Sequence, residues 1–291
     1  VITDPDHDAP IAPVPRLSYH ALIRAGAPAT GNEEMDTKTL LRQHAKGVRE
    51  FDGADLAGAD LGGSDLSGIR LRWATLSRVS LRGASLDGAD LSGANLSRSD
   101  LGGARLSGAR LERANLSDCD LAGADLSDAV LARCNLSRAD LTDANLAGAD
   151  LAGVDALGSA KLAGVSLAGC DLAGVDLAGA DLARVDLRGS NLAGAGLQRA
   201  SLSRADLTGA DLAGADLAGA DLSGADLGAC NMENVRLEGA NLAGTRLAGA
   251  TLRWLDLPGV DLARADLAQS NLCGAVLVGA NLREASLAGA S

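Results

Sequence analysis

The chain has 291 residues, of which 37 are Gly, with one Phe, one Tyr and two Trp, and this excludes a conventional core built from large aromatics. Its formal charge is −12, and residues 1–50, with 7 acids and 6 bases, leave 31 acids and 20 bases to residues 51–291. That balance excludes a basic footprint for direct binding of nucleic acid or anionic lipid, and no apolar run nears the ~20 residues of a membrane span.

Residues 1–50 read as an N-terminal extension. Val1–Pro15 holds four prolines and is expected to be extended, and Ser18–Arg24 to form a helical turn ended by Gly26. Asp36 is a good N-cap for a short helix from about Thr37 to Ala45. Leu40 and Leu41 give that helix an apolar side and Gly47 stops it, so it is expected to cap whatever follows. His7, His20 and His44 lie far apart in sequence and read as surface or cap positions, not as ligands. No basic-then-apolar signal segment opens the chain, so a cytoplasmic location is expected, although a chain that begins at Val1 leaves room for an upstream segment.

From Phe51 the pattern changes. Leucines fall at 56, 61, 66 and every fifth residue through Leu151; Ala156 sits where the next is due, and the period resumes one residue late at Leu162. It then runs to Leu287 with Met232 the only substitute. Two positions before most centres lies a small residue, one before lies mostly Asp, Asn, Ser or Arg, and two after lies mostly Gly. Steps of five at 100° would smear leucines around an α-helix, and in a flat strand they would alternate between faces. A chain that turns a corner every five residues points every centre, with its small partner, into one interior, and Gly suits the corner.

The units Ala54–Gly58 (Ala-Asp-Leu-Ala-Gly), Ala94–Arg98 (Ala-Asn-Leu-Ser-Arg) and Ala205–Gly209 (Ala-Asp-Leu-Thr-Gly) resemble the pentapeptide-repeat family, and the resemblance covers residues 51–291. It implies an all-β solenoid, a right-handed quadrilateral β-helix with four units per coil, centre and small residue facing inward. The repeats then make about twelve coils in a rod of roughly 55–60 Å. The extra residue near 154–161 is expected to swell a corner or bend the rod.

The exceptions to the repeat are the candidate site residues. Trp73 and Trp254 each lie two after a centre, each inside Leu-Arg-Trp, with Arg70, Arg72 and Arg253 beside them. If the extra residue is absorbed locally, counting in twenties puts both Trp on one face, nine coils or ~43 Å apart, with Arg110, Arg113 and Arg133 on that face too. Aromatic and Arg residues are what interface anchors are made of, so these read as partner-binding. Asp206, Asp211, Asp216, Asp221 and Asp226 form an acidic belt with no Lys or Arg between Arg204 and Arg236, against which stands the plain consensus. Asp100, Asp120 and Asp140 stack one coil apart, but the spacing follows from the repeat and implies no catalysis. Cys119, Cys134, Cys170 and Cys230 occupy the small inward position as substitutes for Ala; Cys273 is expected outside. No P-loop, G-x-G-x-x-G, EF-hand or C-x-x-C pattern points to a cofactor or a metal.

The expected function is therefore a non-catalytic, rigid scaffold for a protein partner. The family resemblance extends this to components of bacterial secretion-type assemblies. The repeats run to Ser291 with no closing element, so an end-to-end dimer or a partner at the last coil is also expected. The alternative implied by the resemblance is a DNA-mimicking binder or protector of DNA gyrase or topoisomerase IV. A net −11 over ~57 Å is one charge per ~5 Å, against one per ~1.7 Å in DNA, which weighs against it.

Overall fold

The computed structural model describes residues 36–154 and 156–291. The expected extended segment and first helical turn, with His7 and His20, lie outside the described residues. Helix α1 spans Thr37–Ala45, and the Asp36 carboxylate accepts the Thr39 N–H at 2.7 Å, as an N-cap does. Gly47, at φ +92°, donates its N–H to the His44 carbonyl and ends the helix. Leu40 is fully buried in the same apolar cluster as the repeats, with Leu41 packed against it.

Beyond α1 the chain forms a solenoid whose β structure consists of isolated parallel bridges in place of long strands. Residues 20 apart pair from Glu50↔Arg70 onward, in four ladders, one for each of the four units in a turn. One unit, Ala205–Gly209, accounts for the backbone. Ala205 N–H closes a turn on Leu202 O at 3.0 Å. Asp206 N–H reaches back to Val185 O at 3.0 Å, and Leu207 and Gly209 N–H reach forward to Asp226 O and Gly228 O at 2.7 and 2.9 Å. The fifth N–H, from Thr208, points outward and is taken by the Asp206 carboxylate at 3.0 Å. Asp or Asn before the centre is thus an acceptor for the one donor that the coil geometry leaves over.

The centres line a dry interior: Leu91, Leu141 and Leu212 are fully buried, as are the small residues two before them. Where Ser99, Ser190, Thr245 and Ser270 replace Ala there, each hydroxyl donates to a backbone carbonyl at 2.8 Å. In the regular units the corner residue two after the centre has positive φ, and Gly fills most of these positions. Arg, Asp, Asn or Trp takes others at φ of 56–62°, the left-handed region that only a tightly held turn imposes on such residues.

The extra residue is taken up locally within residues 156–159, and one core centre differs from the sequence reading. The next centre is Leu157, not Leu162: Ala156 adopts φ +57° and Leu157, fully buried, opens a 3-10 turn over Leu157–Ser159. The centres are therefore six residues apart once and five apart thereafter. Bridges across this point step by 21 (Asp140↔Lys161, Asn145↔Ser166, Asp150↔Asp171) and then return to 20 at Ser166↔Asp186. The Arg138 N–H, deprived of its usual carbonyl, is taken by Ser159 Oγ at 3.2 Å. In the last turn Leu272, Leu277 and Leu282 are half-buried and Leu287 is exposed.

Candidate interaction surface

The ladder register fixes where the tryptophans lie. Successive bridges run from Arg70 through Asp90, Arg110, Val130, Asp150, Asp171, Asn191, Asp211 and Asn231 to Thr251. Trp73 and Trp254 each lie three residues beyond a member of that ladder and so occupy one corner row, nine steps apart. At ~4.8 Å per step the separation is ~43 Å. Both are exposed, Trp73 by 48% and Trp254 by 73%, and both have the positive φ of the corner, 59° and 60°. Each indole lies across the glycine one coil on, Gly93 and Gly274, where an added methyl group would overlap the ring. The absence of a side chain there gives each indole a flat seat.

The flanking arginines differ at the two ends. Arg70 pairs with Glu50 at 2.7 Å and Asp52 at 3.1 Å, and Arg72 clamps the same Asp52 with Nε at 2.9 Å and Nη2 at 2.5 Å. Burial pushes the Asp52 carboxyl upward, but its hydrogen bonds to Arg72 and the charges of Arg72 and Arg70 outweigh that and hold it below the usual range. Arg253 is exposed and has no ion-pair partner among the described residues. Near Trp254 the same wall carries exposed Val276 and Val278.

The five carboxylates of the acidic belt are all engaged. Each accepts the N–H two residues on, at 3.0–3.1 Å. Asn231 and Asn241 donate from the next coil to Asp211 and Asp221. Arg236 and Arg246 reach Asp216 and Asp226 at 2.9 and 3.3 Å, and Arg188 lies 3.7 Å from Asp206. The cations missing from the linear stretch arrive from adjacent coils. Charge is nonetheless uneven along the rod: residues 70–138 hold 10 Arg against 8 acids, and residues 139–234 hold 14 acids against 5 bases.

Asp100, Asp120 and Asp140 form consecutive bridges, and each accepts the N–H two residues on; Lys161 binds Asp140 at 2.6 Å. Among the described residues no three metal-ligating side chains converge. Cys119, Cys170 and Cys230 are buried and donate to Leu carbonyls at 2.9 Å; burial pushes the thiols up to about 11, 11 and 12. Cys134 is buried with them and Cys273 is exposed. His44 is buried against the first coil.

The wall carrying Asp55, Thr75, Asn95 and Asn115, which begins at the Trp73 corner, holds a feature that the sequence reading did not single out. This is a groove of about 640 Å³ lined by Ser77, Ser97 and Ser117, Asn95 and Asn115, with Arg78, Arg98, Asp118 and Arg138 at its rim. Its signal in the sequence is Ser recurring at steps of twenty, followed by Arg78, Arg98 and Asp118.

The model for a family described as pentapeptide repeats matches in eight copies, over residues 54–93, 94–131, 119–155, 157–194, 195–234, 225–262 and 261–291. Among solved structures, the chain is similar to HetL, a pentapeptide repeat protein involved in heterocyst differentiation regulation from the cyanobacterium Nostoc sp. strain PCC 7120. The identity is 31%, covering 88% of this chain and 96% of that one, with a TM-score of 0.33. Full-length QnrB1, a plasmid-mediated fluoroquinolone resistance protein, is 20% identical over 65% of this chain and 94% of its own, with a TM-score of 0.52, a likeness of fold alone. The pentapeptide repeat protein alr5209 from Nostoc is 41% identical over 36% of this chain and 84% of its own, with a TM-score of 0.34. No curated protein matches the chain.

Proposed function

This chain belongs to the pentapeptide-repeat family, and from that premise we propose that it is a rigid, non-catalytic scaffold that holds a protein partner along the wall edged by Trp73 and Trp254. The interior is filled by leucines, so only the outer walls are available for work. The observation that carries the reading is that both tryptophans of the chain stand exposed on one corner row, each seated on a glycine. An exposed Trp held by a flat seat has little freedom left to lose when a partner covers it, which is what makes Trp an effective anchor. A solenoid of about twelve coils in one hand keeps the ~43 Å between the anchors fixed, so a partner touching both gains from the second contact without further ordering.

The test is capture of proteins from the native cell by the full chain and by the Trp73→Ala, Trp254→Ala double variant. The scaffold reading expects a specific partner retained by the first and released by the second, with both chains equally folded.

The concentration of acid over residues 139–234 favours a second reading, a DNA-like decoy for gyrase or topoisomerase IV. Against it stand the carboxylates already occupied by backbone N–H groups and by Arg188, Arg236 and Arg246. Inhibition of gyrase supercoiling at micromolar chain, or protection from a fluoroquinolone, would favour the decoy; indifference would leave the scaffold.

A further inference from the structure

At four of the described positions the hydroxyl one after a centre folds back on its own unit, whereas Ser127 bonds Ser107 and the hydroxyls of Ser203 and Ser223 make no bond among the described residues. Ser92 donates to Asp90, Ser137 to Asn135, Thr142 to Asp140 and Thr208 to Asp206, each at 2.6 Å. In the groove beside Trp73 this does not happen. The hydroxyls of Ser77, Ser97 and Ser117 make no hydrogen bond among the described residues, and they line the groove one coil apart.

Above them, Asn95 and Asn115 spend their carbonyl oxygens on the N–H groups of Ser97 and Ser117, and Asn115 donates to Asn95 at 3.3 Å. The Asn95 amide N–H₂ is left facing out as a donor. On the rim Arg78 meets no carboxylate among the described residues, and Arg98 lies 3.9 Å from Asp118. That carboxylate is already held by Arg138 through two bonds of 2.7 and 2.8 Å, which together with the charges of Arg138 and Arg98 depress its pKa. At one end Ala57 and Gly58 contribute almost no side chain, so the groove opens there. Hydroxyls, an amide donor and two guanidinium groups facing one concavity, with one carboxylate already paired, make a site rich in donors and net positive, in a chain of charge −12.

We propose that this groove binds an extended acidic peptide segment of the protein partner, its carboxylates taken by Arg78 and Arg98 and its backbone carbonyls by the serine hydroxyls and the Asn95 amide. From Gly58 to Arg138 the groove crosses four coil steps, ~19 Å, the length of about six residues of extended chain. A peptide is favoured over a nucleic acid on electrostatic grounds. A strand with phosphates at DNA density would meet the acid-rich coils beyond residue 139 as it left the groove, whereas a short acidic segment ends with it. Trp73 borders the same wall, so apolar residues flanking the segment would meet the indole. The inference rests on the scaffold reading and names the chemistry of one partner segment.

The test is fluorescence anisotropy of a fluorescein-labelled hexaglutamate peptide titrated with the full chain at low salt. An equally labelled hexathymidylate serves as comparison. Saturable peptide binding is expected. It should weaken roughly tenfold or more in Arg78→Gln, Arg98→Gln, keep part of its strength in Arg78→Lys, Arg98→Lys, and change less than about twofold in the control Arg264→Gln, Arg283→Gln on another wall. Absence of saturation, an equal loss in the control, or tighter binding of hexathymidylate would overturn the proposal. The two readings fail separately. Trp-dependent partner capture without peptide binding leaves the scaffold and removes this inference; peptide binding without Trp-dependent capture does the reverse.

Discussion

The indole of Trp73 lies across Gly93 in the next coil, in the space that a β-carbon on Gly93 would occupy. Gly93 therefore serves two purposes, the positive φ of the corner (+67°) and the seat of the ring. Gly88, at φ +63°, has open space around its missing side chain. Gly88→Ala should lower stability by about 1 kcal/mol, the strain of a left-handed alanine. Gly93→Ala should add displacement of the indole, which a red shift of tryptophan emission in a Trp254→Phe background would report. Equal stability loss and unchanged emission in the two variants would show that Trp73 does not rest there.

Leu157 acts as a core centre although it lies off the five-residue count. Leu157→Ala should cost about 2–5 kcal/mol by chemical denaturation, the same range as Leu212→Ala in the regular array. Ala156→Gly should be neutral or stabilising, because φ +57° suits glycine, and Ala156→Val should be destabilising. A Leu157→Ala variant as stable as the parent would return the centre to Leu162.

Helix α1 should respond to acid. Burial against the first coil, and then the Arg49 guanidinium, lower the pKa of His44 from its ordinary 6.5, with Asp65 opposing. Arg49 also donates to the His44 carbonyl at 2.8 Å and stands 3.4 Å from Nδ1, so the neutral ring is the one that fits. A histidine with a depressed folded pKa contributes its full stability above the unfolded value and loses it as pH falls from about 6.5 toward the folded value. Hydrogen exchange of Thr37–Ala45 amides, corrected for intrinsic rates, should accelerate between pH 7.5 and 5.5 relative to the coils, and His44→Gln should abolish the difference. Equal protection at both pH values in the parent would contradict this.

The belt aspartates separate charge from hydrogen bonding. Asp206→Asn keeps an acceptor for the Thr208 N–H and should change stability little, whereas Asp206→Ala leaves that donor to water and should cost roughly 0.5–1.5 kcal/mol. Both remove the same charge. Thermal unfolding that ranks the two alike would mean that the carboxylate is there for its charge.

Much of this was legible in the sequence, for a physical reason: a channel that admits one Leu and one small residue per unit writes its demand at every fifth position. Asp36, Gly47 and the buried cysteines were readable because each obeys a local rule of capping or size. The position of Leu157 was missed because the count was kept in phase and fell on Ala156, when the six-residue step was there to be read. The engagement of the belt by Arg188, Arg236 and Arg246, and of Arg70 and Arg72 by Asp52, depends on neighbours 18–20 residues away. These become adjacent only after the coil closes. The role of Asp before the centre was hidden for a similar reason, since the spare N–H appears only when all five donors of a unit are placed.

The most direct test of the central claim is the affinity of the captured partner for the parent, for Trp73→Ala, for Trp254→Ala and for the double variant, measured by calorimetry with folding verified by circular dichroism. Two anchors on one rigid corner predict that each single variant weakens binding by about 2 kcal/mol or more and that the double variant abolishes it. A double variant that binds as tightly as the parent would show that this wall is not where the protein works.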